Sequence, residues 1–366
     1  MNNTEVKRAS LLASALSSFL TPFIGSSINV ALPLIGEEFE TNTIILSWIN
    51  TAYFLGTAVF LIPAGKIADN YGRRKIFLCG LMVCFLTLLL CAISNSALML
   101  IILLFMQGVG GAMISSSTIA IITSVFPEKE RGEALGVNVS AIYAGITLGP
   151  ILGGILTRNY GWRTIFIMGI PLVLMAILLA YTKLKSEWIG RKSKIDYVGL
   201  VTYSFSLLTI VYGFSHILEL LGIIFMIIGL ISALLFIKWE THTENPMLDL
   251  SLLKNNRIFT FSSLAALINY SATFAVSFLL NLYLQRLKGF NPKDAGIILA
   301  FQPIIQSFFS PLAGKLSDKV EPRIVASFGI GLTALVLFSF TFLRLNTSLE
   351  AIIVLDDKMT RGCINA

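Results

Sequence analysis

Eleven runs of about twenty apolar residues, parted by short polar turns, leave this chain few folds to choose from. They lie at about 11–35, 46–64, 76–95, 98–125, 134–157, 162–181, 197–215, 218–237, 258–285, 295–313 and 323–343. A helix satisfies its own backbone hydrogen bonds in lipid, where an open strand cannot. The expectation is an all-α, multi-pass membrane protein in the lipid bilayer. Only 13% of the 366 residues are charged, and the mean hydropathy is +0.82. A soluble domain would carry roughly twice that charge.

The net charge of +7 needs no nucleic acid to explain it. With the N-terminus in the cytoplasm, nineteen Lys and Arg fall on the inner side. The outside loops hold five, Arg158, Arg163, Arg286, Lys288 and Lys293, so the positive-inside bias sets the orientation. The first run exceeds a signal-peptide core of roughly 7–15 residues, and no small-x-small cleavage site follows it, so it is read as a retained helix.

Between the second and third runs stands Gly65-Lys66-Ile67-Ala68-Asp69-Asn70-Tyr71-Gly72-Arg73-Arg74-Lys75. The pattern returns at Gly314-Lys315-Leu316-Ser317-Asp318-Lys319, with Arg323 standing as Arg74 does. Gly65 and Gly314, Asp69 and Asp318, and Arg74 and Arg323 share one spacing of 249 residues. A charged hairpin that recurs in an apolar chain points to a duplicated transporter half. Gly65 permits close helix contact and Gly72 a tight turn. Asp69 can pair with Arg73 or Arg74, or face the positive end of a neighbouring helix. Topology-setting charge accounts for the basic residues but not for Gly and Asp at fixed spacing. In the second copy Glu321 replaces the later glycine.

Other stretches add to this. Asn29-Val30-Ala31-Leu32-Pro33 ends the first run, and Trp48-Ile49-Asn50-Thr51-Ala52-Tyr53 opens the second. Gln107-Gly108-Val109-Gly110-Gly111-Ala112 lies in the fourth. The fifth holds Gly145, Gly149, Pro150, Gly153 and Gly154, a Pro-bearing helix flanked by glycines that allow close packing. A short polar linker, Thr182 to Lys194, precedes an extra pair of apolar runs that opens at Asp196-Tyr197-Val198-Gly199-Leu200.

The charged hairpin resembles the loop signature of the major facilitator superfamily. The Gly-x-x-x-Gly-Pro-x-x-Gly-Gly stretch is similar to the antiporter motif of its exporters. With the extra pair, the chain resembles the fourteen-helix drug:proton antiporters (EmrB/QacA-like). The resemblance implies a major facilitator fold with about 11 helices present of an expected 14, apparently truncated after the eleventh. It implies a six-helix half at 1–181, linkers and two extra helices at 182–257, an incomplete second half of three helices at 258–343, and a tail at 344–366. The implied function is secondary active efflux of hydrophobic or amphipathic compounds by alternating access, proton-coupled, in the plasma membrane. Gly65, Asp69, Gly72, Arg73, Arg74, Gly314, Asp318 and Arg323 would form the conformational latch, and Gly145, Gly149, Pro150, Gly153 and Gly154 the antiporter motif. Leu104 stands where the family carries an Arg, and Ile24 where this branch carries an Asp. The alternative is a truncated relative that does not transport, inactive or limited to binding a partner.

No buried acid is expected. Every Asp and Glu falls in a loop, at a helix end or in the tail. Neutral residues remain to line a cavity: Asn29, Tyr53, Gln107, Asn138, Tyr143, Asn269, Gln302 and Gln306. A weakly polar, Phe-rich cavity suits apolar or amphipathic ligands, though each residue also fits an interhelical hydrogen bond. Gln302 and Gln306 share a helix face. His216, His242 and the four cysteines lack metal-ligand spacing, and no nucleophile and base stand together. A transporter without metal or cofactor, rather than an enzyme, is expected.

Overall fold

The computed structural model describes residues 3–340 apart from 185–186, 191–193, 195, 249, 285–287 and 290–291. The helices are α1 (Asn3–Glu38), α2 (Thr43–Tyr71), α3 (Arg73–Ala92), α4 (Ala97–Val125), α5 (Glu128–Tyr160) and α6 (Arg163–Lys183). There follow α7 (Tyr197–Ser215), α8 (Leu220–Glu240), a short α9 (Leu250–Asn255), α10 (Arg257–Leu282), α11 (Pro292–Ser317) and α12 (Pro322–Phe340). Eleven long helices stand where eleven apolar runs were read, and no strand occurs among the described residues. Each of α1 to α8 is long and apolar enough to cross a membrane. The expected tail at 344–366, and the last residues of the expected second half, lie outside the described residues.

The helices overrun the apolar runs into the flanking polar residues. α1 begins at Asn3 and takes in Lys7 and Arg8, and α5 begins at Glu128 rather than near 134. Glu128 and Glu130 stand in the first turn of α5, where the helix dipole favours acid. Asn42, Ser96, Asp196 and Asn256 cap their helices through side-chain oxygens. The six-residue α9 is not legible in the apolar pattern.

α1 to α6 form one bundle, with α1 against α5 and α6, α2 against α4, and α3 against α4 and α6. Phe23, Ile24, Ile28, Phe77, Leu81, Leu100, Leu104 and Phe166 are fully buried in it. Glycines bring the backbones together. A Cβ on Gly108 would strike the Tyr53 carbonyl, and one on Gly56 the Phe105 carbonyl. The inserted pair α7–α8 packs on itself and touches α2. There Tyr203 donates to the Ala58 carbonyl at 3.0 Å, and the Trp48 and Tyr212 rings lie 5.9 Å apart. α11 packs along α5, whereas α10 and α12 touch their neighbours lightly. Leu98, Leu178, Leu234 and Ile258 point away from the protein on the outer faces. Such surfaces are favourable against lipid tails and costly against water.

The ends of α2, α4, α6 and α11 and the starts of α3 and α5 meet at one end of the bundle, the hairpin face.

Candidate functional site

In the first hairpin, α2 runs through Asp69 to Tyr71, and α3 starts one residue after Gly72. Gly72 has φ 116°, a backbone that side chains rarely adopt. Asp69, near the end of α2, stands four residues before Arg73, the first residue of α3, on the other side of the Gly72 turn. Arg73 Nε and Nη2 approach Asp69 Oδ1 at 3.0 and 2.9 Å. Arg73 Nη1 also donates to Ser124 Oγ at 3.0 Å, at the end of α4. Arg74 reaches the other way, to the Tyr181 carbonyl of α6 at 3.2 Å. Gly65 is loosely surrounded, since a Cβ there would meet only Ser116 at 3.8 Å.

The second hairpin engages the first half of the chain. Asp318 Oδ1 accepts from the Gly132 N–H at 2.7 Å, and Oδ2 from the Glu133 N–H at 2.8 Å, both in the opening turns of α5. One carboxylate therefore reads two adjacent backbone donors near the positive end of a helix. Beside it Gly314 and Gly132 press backbone to backbone, and neither has room for a Cβ. The contact continues along both helices. Gly136 meets Ser310, and Ser140 and Ser307 each donate to the other's carbonyl. Lys315 stands 3.9 Å from Glu133, and Arg323 is exposed.

α5 thus carries two stripes of small residues. Gly132, Gly136 and Ser140 face α11 over the half nearest the hairpin face. Gly145, Gly149 and Gly153 face α1 over the far half. Ser26 Oγ donates to the Gly145 carbonyl at 3.3 Å, and Ser27 Oγ to the Gly149 carbonyl at 2.9 Å. A Cβ on Gly153 would stand 2.7 Å from Ser27 Cβ, whereas Gly154 has ordinary contact with Val30 and Pro150 is exposed. The sequence reading named the second stripe and passed over the first, although both repeat every four residues.

The cavity candidates do not converge on a single described pocket. Tyr53 is buried, and its hydroxyl donates to the Thr21 carbonyl at 3.2 Å. Gln107 and Asn138 are buried, and Gln107 Oε1 and Asn138 Oδ1 have no hydrogen-bond partner among the described residues. Gln302 and Gln306 are buried on α11, the helix that packs on α5. Asn29 is exposed and Tyr143 half-buried. Asn269 lines an apolar cleft of about 300 Å³ between α10 and α12, with Phe261, Ile268, Thr333 and Leu337.

The expectation of no buried acid needs correction. Asp196 and Glu240 are 9% and 3% exposed, at the hairpin-face ends of α7 and α8. Asp196 accepts from Trp239 Nε1 at 2.9 Å and from the Gly199 N–H, and Glu240 from the Met247 and Leu248 N–H groups. Chain position marked them as helix ends. Their burial follows from the α7–α8 contact, which no local pattern reveals. Ile24 and Leu104 are fully buried among apolar side chains.

The family description Major Facilitator Superfamily matches residues 14–355. The chain is 30% identical over 348 residues to the riboflavin transporter RibZ of Clostridioides difficile (strain 630), covering 94% of this chain and 75% of RibZ. It is 28% identical over 352 residues to the multidrug resistance protein Stp of Mycobacterium tuberculosis, covering 93% of this chain and 64% of that relative. It therefore spans about two thirds to three quarters of these relatives' length. Among solved structures, the proton:xylose symporter XylE superposes with a TM-score of 0.68 at 14% identity, over 99% of this chain and 81% of that one. The human organic anion transporter MFSD10 (TETRAN) does so with a TM-score of 0.66 at 12% identity, over 100% and 85%. At such identities the likeness concerns the fold.

Proposed function

The chain belongs to the major facilitator superfamily, whose members here are membrane transporters and not enzymes, and on that premise we propose that it exports hydrophobic or amphipathic compounds by alternating access. The observation that carries the reading is the α5–α11 seam. The α1–α6 bundle and α11 touch along the half of α5 next to the hairpin face, and the seam is fastened by Asp318 on the α5 backbone. Small residues and a charge-assisted pair make a contact that can open without tearing a core. On this reading the hairpin face is cytoplasmic, the N-terminus lies on that side of the plasma membrane, and the geometry described is closed inward. The two hairpins act as latches, and Gly145, Gly149 and Gly153 keep α5 fixed to α1 while its other stripe lets go.

Neutral polar groups among apolar side chains support an apolar or amphipathic substrate. One relative's name, multidrug resistance protein, agrees with that, and the RibZ name adds riboflavin as a second substrate to test. The proton is proposed as coupling ion from the resemblance to the fourteen-helix exporters. No carboxylate among the described residues stands near the middle of a spanning helix.

The test is dye retention in cells that hold this chain in their membrane, with and without a proton gradient, and with riboflavin uptake measured in parallel. Faster dye loss that needs the gradient is expected, and Asp69→Asn should abolish it. Retention equal to that of empty cells, with the protein present in the membrane, overturns the export reading.

A further inference from the structure

α3 starts poorly by itself. Its N-cap is Gly72, which has no side chain to offer. Its first three residues are Arg73, Arg74 and Lys75, three cations at the end of a helix where partial charge is already positive. Their N–H groups have no acceptor within the helix.

Two acceptors from the α6–α7 linker, more than a hundred residues later, serve all three N–H groups. The Arg73 N–H donates to the Trp188 carbonyl at 2.9 Å. The Arg74 N–H donates to Glu187 Oε1 at 2.9 Å, and the Lys75 N–H to the same oxygen at 3.4 Å. The linker also gives a bond back, from the Gly190 N–H to the Asp69 carbonyl at 2.9 Å. The fit is close on both sides. A Cβ on Gly72 would collide with the Glu187 carboxylate, and one on Gly190 would stand 2.5 Å from Asp69 Oδ1. Trp188 packs against the main core and anchors the segment.

We propose that Glu187–Gly190 is a strap across the first hairpin and that Glu187 is its positioning residue. The strap supplies the cap that α3 lacks, and its carboxylate offsets the three cations. It thereby sets the α2–α3 turn in the posture that joins Asp69, Arg73 and the end of α4. The strap leads into α7. On the far side of the inserted pair, Lys66 Nζ donates to the Pro246 carbonyl at 2.9 Å. Both segments that flank α7–α8 thus hold the hairpin, which gives the insertion a mechanical task. The functional half of this inference rests on the latch reading proposed above; the strap itself does not.

The test uses the purified full chain as wild type, Glu187→Ala and Glu187→Gln, with amide hydrogen exchange and dye efflux at matched membrane abundance. Glu187→Ala should speed exchange at residues 73–75 by about tenfold and leave Leu81 to Leu88 unchanged. Glu187→Gln, whose amide oxygen still accepts, should recover most of the protection. Efflux should fall severalfold in the Ala variant and stay near wild type in the Gln variant. Wild-type exchange in Glu187→Ala overturns the strap, and equal loss in both variants overturns the hydrogen-bond assignment. Faster exchange with unchanged efflux, where Asp69→Asn still abolishes efflux, overturns the positioning role and leaves the latch standing. If Asp69→Asn does nothing to efflux, the latch reading fails and the exchange result alone decides the strap.

Discussion

The two hairpins share Gly, Asp and a basic residue at one spacing, yet they hold these residues differently. Asp69 pairs with Arg73, four residues on, across the turn between α2 and α3. Asp318 takes two backbone N–H groups from α5, 186 and 185 residues away. The glycines diverge as well. Gly314 is pressed against Gly132 without room for a methyl, whereas Gly65 has ordinary space. Gly72 needs a positive φ, but Glu321, its counterpart, is not among the positive-φ residues. The lesson is that a repeated motif transmits capability, and the neighbour presented to it decides the use.

Substitutions in matched pairs would break or sharpen that contrast. The largest effect is expected at Gly314→Ala, whose methyl would enter the Gly132 carbonyl and part the seam at a cost of about 2–3 kcal/mol. Loss of cross-linking between Ser140→Cys and Ser307→Cys, in a chain otherwise free of cysteine, would register it. Gly65→Ala should shift stability by no more than about 0.5 kcal/mol. Equal falls in the thermal midpoint for the two variants would end the comparison.

Next comes Asp318→Ala, which deprives two N–H groups of a charged acceptor and should cost about 2 kcal/mol in thermal unfolding. Gly72→Ala follows at about 1–2 kcal/mol, since it forces a side chain into an unsuitable backbone against Glu187. Glu321→Gly at the matching turn should be near neutral; a loss there as large as at Gly72 would mean that both turns share one geometry. Asp69→Asn should cost only about 0.5 kcal/mol, since the pair is half-exposed to solvent and the asparagine oxygen can still accept from Arg73. Its efflux defect should nevertheless be complete, and a large stability loss would assign Asp69 to folding instead.

Much of the fold was legible from one dimension. A run of twenty apolar residues has one economical conformation in lipid, so helix number and rough extent follow from composition and length. The repeat of Gly, Asp and Arg was visible for the same reason, as a pattern along the chain. Helical spacing also announced that Gly145, Gly149 and Gly153 share a face. Which helix that face would meet was not announced, nor that Gly132, Gly136 and Ser140 form a matching stripe for another partner. Asp196 and Glu240 were read as helix ends, and only the approach of α7 to α8 buried them. Glu187 looked like one more linker charge until the bare start of α3 came beside it. The sequence by itself determined the helices and the faces they offer, because each depends on near neighbours in the chain. Only the tertiary structure decided which faces meet and which carboxylate serves which helix start. Those choices depend on the shape of surfaces brought together from 23 to 186 residues apart, and no local spacing records that.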